Sequence, residues 1–202
     1  MSNLLKLSVT RTWGNRALPV NSSAWKDLRN QVLKRDNNTC RFCETVLEKY
    51  LICDHIDGNA SNNNPNNLGI NCPGCDAIRH CGFSGMQDWL ILRKSSLNQD
   101  EIVRRTYDFY LKNGINSSPE EIDPACQKIF NHSFKLGSET VYEIDNPKGE
   151  EVSSVDLANL LLLHDYEEIR GIENIKGFFT PKFSLERFLK QKLQQIEIPP
   201  KK

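Results

Sequence analysis

Apolar residues recur along most of the chain, and their spacing changes from segment to segment. Residues 4–11 partly alternate and include Val9 and Thr10, a pattern that predicts a short strand. Trp13-Gly14 and Pro19 break it. After Ser22 or Ser23, Trp25, Leu28 and Val32 fall near one face of a helix. Lys34 and Arg35 close that helix, where cations suit its dipole, and they fit a solvated end or a phosphate contact equally well. Val46 to Ile52 reads as a hairpin region, with Leu51-Ile52-Cys53 leading into Asp54-His55. Ser61 to Asn67 is a polar loop, Leu68 to Asn71 leads onward, and a helix is expected to open at Cys72–Asp76 and run toward His80. Gly82-Phe83-Ser84-Gly85 reads as a break and Trp89 to Leu92 as a buried strand. A capping-box-like Asn98-Gln99-Asp100-Glu101 opens a helix that Gly114 closes, with Ile102, Thr106, Phe109 and Tyr110 on its inner face. Ser118-Pro119 starts another, expected to reach Leu136 with an interruption at Pro124. Further helices are expected over Leu157–Leu163 and residues 184–196. The whole is an α+β chain. Residues 1–95 form a unit with an N-terminal strand and helix, and residues 96–202 form a mainly helical region packed on it as one compact domain.

Composition narrows the picture. The chain has 202 residues, 26 Lys+Arg and 26 Asp+Glu, so its formal charge is zero and it generates no overall field for a polyanion. No charged leader followed by an apolar stretch is evident, and no 18-residue apolar run. A cytoplasmic protein is therefore expected, and seven cysteines fit a reduced compartment.

Four of those cysteines form two Cys-x-x-Cys knuckles, Cys40/Cys43 and Cys72/Cys75. Each short knuckle can present two sulfurs to one corner of a metal, so the pair predicts a closed tetrahedral zinc site. Four sulfurs leave no position for water or substrate, which makes that zinc structural. Cys53, Cys81 and Cys126 remain outside it.

Between and after the knuckles stand Asp54-His55, Asn67 and a helix that carries Asp76 and His80. This segment, Cys40 to His80, resembles the HNH or ββα-metal nuclease motif. The resemblance implies a divalent-metal ligand at Asp54, a general base at His55 and an orienting residue at Asn67. Asp76 stands where the family often has its final His. Residues four apart share a helix face, so Asp76 and His80 can both address the metal. Magnesium or manganese would suit these oxygen and nitrogen donors, and a neutral imidazole can accept a proton from water.

A second resemblance covers nearly the whole chain. Leu5-Lys6-Leu7, Trp13, Lys34-Arg35-Asp36, Thr39 to Cys43, Asp57-Gly58, Asn66-Asn67-Leu68, Cys72 and Ser133-Phe134-Lys135 together resemble the DotN/IcmJ family, a subunit of the type IVB secretion coupling complex. That family uses an HNH-like zinc fold as a scaffold. The resemblance implies an adaptor that binds the C-terminal tail of the coupling ATPase, contacts other secretion-complex subunits and helps recruit effectors. It implies a place at the bacterial inner membrane through partners. This chain keeps Asp54-His55, so DNA stands as the alternative partner and DNA phosphodiester hydrolysis as the alternative activity.

Overall fold

The computed structural model describes residues 5–7, 17–145 and 169–183. Helix α1, Ser23–Arg35, is capped by the Ser22 hydroxyl, which accepts from the Trp25 N–H. Its apolar stripe buries Trp25 and Val32. Arg35, at its C-terminal end, donates to Asp36 and to the carbonyl oxygens of Pro65 and Leu68. It therefore ties the polar loop to the helix end.

Strands β1, Ile52–His55, and β2, Leu68–Asn71, pair antiparallel, with Asp54 opposite Gly69 and His55 opposite Leu68. The hairpin thus runs from residue 52 to 71, and a single bridge between Thr39 and Val46 stands where a hairpin near 46–52 is expected. Every residue of β2 is buried. Helix α2, Pro73–Arg79, follows at once: Cys72 caps it and Pro73 fills its first turn. Chain order is therefore strand, strand, helix, with the first knuckle ahead of β1 and the second at the junction of β2 and α2.

The expected break at 82–85 is instead a short helix, α3, Cys81–Met86, set off from α2 at His80. Gly82 and Gly85 are buried in it and lie within helix rather than a turn. Strand β3, Leu90–Lys94, pairs antiparallel with β7, Ile175–Phe179. Between them in sequence come α4, Gln99–Asn113, closed by Gly114 at φ 70, and α5, Pro119–Ile122. A Ser118–Glu121 capping box starts α5.

The helix expected over 118–136 ends after one turn. Pro124 cannot donate to a helix and forces Asp123 into extended backbone, φ −137 and ψ 94. Residues 131–136 then form strand β4, Asn131–Leu136, which pairs with β5, Glu139–Asp145, and with β6, Ile169–Arg170. Among the described residues the region after 95 holds α4, α5 and four strands, and the chain is mixed α and β with small sheets. The helices expected over 157–163 and 184–196 lie outside the described residues, as do Leu4 and residues 8–11 of the first expected strand. Of that strand's described part, Leu5 and Leu7 are buried and Lys6 between them is exposed.

The main core joins both halves of the chain. Leu68, Ile70 and Ile78 pack with Leu90, Leu92, Val103, Tyr107, Phe179 and Phe183. Gln99 fastens α4 to β7, donating to the Gly177 carbonyl at 2.8 Å and accepting from its N–H at 2.9 Å. No helix among the described residues is long and apolar enough to cross a membrane.

Candidate metal centre

The two knuckles converge. Cys40, Cys43, Cys72 and Cys75 are buried, and their sulfurs lie within 4.8 Å of one another. The Cys43 and Cys72 sulfurs are 3.5 Å apart, far beyond a disulfide bond of about 2.05 Å. All seven cysteines are free thiols. A tetrahedral zinc with bonds of about 2.3 Å spaces its sulfurs by about 3.8 Å, so the four thiols can hold a metal such as zinc.

Local backbone explains the arrangement. In the first knuckle the Cys40 N–H donates to the Thr45 carbonyl, the Glu44 N–H donates to the Cys40 carbonyl, and Glu44 closes the turn at φ 59. The Arg41 N–H donates to the Ile70 carbonyl, docking this knuckle on β2. In the second, the Cys75 N–H donates to the Cys72 sulfur at 3.4 Å. The Cys43 thiol donates to Thr45 Oγ1 at 3.2 Å, a bond whose direction reverses when the sulfur is ionised. Burial pushes the Cys72 and Cys75 thiols up, and the Cys40 and Cys43 sulfurs push both further. Burial also acts against Cys40, but hydrogen bonds from Cys43, Cys72 and Cys75 outweigh it and hold Cys40 well below the usual thiol range. A bound dication would favour the ionised form of all four sulfurs.

A second cluster lies beside the first. Donor atoms of Asp54, Asp76 and His80 fall within 4.8 Å of one another. His80 Nε2 is 3.8 Å from Asp54 and 3.6 Å from Asp76. Asp54 also forms an ion pair with Arg79 at 2.9 Å and accepts from the Asn71 amide at 3.2 Å. Burial, and then the Asp54 carboxylate, raise Asp76 to about 7, against the pull of Arg79. Arg41 stacks over Phe42 at 4.4 Å, and burial beside Arg79 brings its guanidinium down to about 10. Gly69 is what admits it: a Cβ there would lie 2.7 Å from Arg41 Cδ.

His55 does not join this cluster. Neighbouring strand residues point to opposite faces, and the contacts follow that rule. The His55 ring stacks on Trp25 at 5.7 Å, its Nε2 is 3.0 Å from Asn63 Oδ1, and the residue is 6% exposed. Its carbonyl accepts from Arg79. Asn67, on which the resemblance places the orienting role, instead ties the loop: its amide donates to Asp57 and to the Asn62 carbonyl, and its oxygen accepts from the Asp57 N–H. The side chain that orients His55 is Asn63.

The structure brings Asp54, Asp76 and His80 together and leaves His55 apart from them, a separation that the sequence does not show. Nor does the sequence single out Asn63 or Tyr107, whose hydroxyl accepts from the Gly74 N–H at 3.1 Å. For Tyr107 a signal exists, since it stands four residues after Val103 on a helix face, but nothing local says which loop that face meets. No protein-family model and no curated protein matches the chain.

Proposed function

We propose that this chain is a zinc-stapled, HNH-like adaptor subunit of a type IVB secretion coupling complex. Zinc is held by Cys40, Cys43, Cys72 and Cys75 and keeps β1, β2 and α2 as one rigid platform. The platform and the elements packed on it bind the C-terminal tail of the coupling ATPase, meet other secretion-complex subunits and help recruit effector proteins. The partners come from the family resemblance. What supports a scaffold over a catalyst is His55: its ring nitrogen is engaged by Asn63, its face is covered by Trp25, and it stands apart from Asp54, Asp76 and His80. A general base must reach the proton it removes. Among the described residues Arg35 is tied to loop carbonyls and Arg79 to Asp54, engagements that compete with phosphate contact.

A second reading has its own observation. Asp54, Asp76 and His80 converge, and two carboxylates with an imidazole suit magnesium or manganese, which would supply Lewis-acid stabilisation of a phosphate. On this reading the protein is a DNA endonuclease with His55 as base and Asn67 holding its loop. Two assays on the purified chain separate them. The adaptor captures a coupling-ATPase tail peptide and leaves supercoiled plasmid intact with either metal. Metal-dependent nicking that disappears in His55→Ala, with zinc content unchanged, would overturn the adaptor reading.

A further inference from the structure

Strand β5, Glu139–Asp145, lies at the margin of its sheet, whose order is β5-β4-β6. It pairs with β4 on one side, and among the described residues no strand pairs with the other. In an antiparallel pair alternate residues turn their N–H and C=O toward the neighbour, and those between turn them outward. A seven-residue edge therefore offers a row of backbone donors and acceptors to another strand. Soluble proteins blunt such an edge with Lys, Pro or a bulge. No Lys or Pro stands in β5, and the shift of register in its pairing falls between Phe134 and Lys135. Tyr142 to Asp145 are left in regular register with Phe134 to Asn131.

The charges on this edge are of one sign. Glu139 and Glu143 are exposed, Asp145 ends the strand, and no basic residue stands among them, although the chain as a whole is neutral. Glu143 stands opposite Ser133, on the other face from the buried Phe134. Like charges set opposite one another destabilise a strand pair, and opposite charges stabilise it. Two copies of β5 laid edge to edge bring like charges together, so a second copy of this chain is a poor occupant. A segment with Lys or Arg at alternate positions is a good one. We propose that the outer edge of β5 is a docking site for an extended, Lys- or Arg-rich segment of a partner protein, which adds to the sheet as a further strand. Main-chain hydrogen bonds hold the segment, and Glu139 and Glu143 select its charge. The inference goes beyond the adaptor reading and depends neither on zinc nor on the Asp54–Asp76–His80 cluster.

The test is fluorescence anisotropy of a short fluorescein-labelled peptide in which lysine alternates with valine, titrated with the full chain. Binding is expected, and the double variant Glu139→Lys, Glu143→Lys should bind about tenfold more weakly or worse. Charge attraction alone gives the same loss, so the same peptide with its backbone amides N-methylated is run beside it. That peptide keeps the charges and lacks the strand hydrogen bonds, and its binding is expected to disappear. Amide exchange of the native chain locates the peptide without any variant, with added protection expected within Glu139–Asp145. Equal binding of the N-methylated peptide, equal binding by the reversed-charge chain, or protection confined to another part of the molecule overturns the inference. So does a native chain that leaves the peptide unbound, or one that protects β5 by pairing with a second copy of itself.

Discussion

Asp76→Asn is expected to stabilise the protein at pH 8 and to do so less as pH falls. Asp76 lies in the first turn of α2, where a negative charge gains about 0.3–1 kcal/mol from the helix dipole. Burial and the neighbouring Asp54 carboxylate outweigh that and raise it from 3.8 to about 7. Below pH 3.8 both folded and unfolded chains carry the proton. Between 3.8 and about 7 the unfolded chain has released it and the folded chain has not, so the folded state binds more protons and stability falls as pH rises. Above 7 both are ionised, and the full cost is in place. At about 1.4 kcal/mol per pH unit that cost approaches 4 kcal/mol, of which about 2 kcal/mol develops between pH 5.5 and 7. Asparagine keeps the shape and removes the titration. Urea unfolding of both forms at pH 5.5 and pH 8, with zinc in fixed excess, should show the variant's advantage growing by about 2 kcal/mol. Proton competition at the cysteines is common to both forms and cancels in the difference. A difference that does not change with pH, or a variant less stable at pH 8, would refute the reasoning. Magnesium adds a second arm: it favours the native chain over Asp76→Asn only where the Asp54–Asp76–His80 cluster takes a cation, the requirement of the nuclease reading.

Two further substitutions probe packing and the loop. Ile78→Ala empties a fully buried position between α2 and β7, where Ile78 Cδ1 reaches within 2.9 Å of the place a Cβ on Gly177 would occupy; it should cost about 2–5 kcal/mol, read as a lower urea midpoint at constant slope. Asn67→Ala removes three bonds that hold the 57–67 loop; faster amide exchange and proteolysis confined to that loop are expected, with a global change of about 1–2 kcal/mol at most because the bonds are exposed.

What the sequence discloses depends on the range over which each feature is specified. The knuckles are legible because Cys-x-x-Cys is a local geometry, and Ser22, Pro73, Gly114 and Ser118-Pro119 mark helix ends by backbone chemistry within a turn. The carboxylate–histidine grouping is partly legible: the i, i+4 spacing joins Asp76 to His80, but Asp54 reaches them only through the β1–β2 register. The fate of His55 is not, because Trp25 lies thirty positions away and Asn63 across an asparagine-rich loop where neighbouring residues look alike. Residues 131–136 bury only Phe134, so their alternation is too faint to outweigh the helical start at Ser118. The glycines of α3 read as a break because sequence shows their backbone freedom and not their burial in a helix.

The central claim is that all four knuckle sulfurs hold one metal. Zinc-edge X-ray absorption on the purified chain, with elemental analysis of the same sample, tests it most directly. One zinc per chain with four sulfurs at about 2.3 Å is the expected result. A chain that folds with no metal, or a zinc ligated by oxygen and nitrogen, would contradict it.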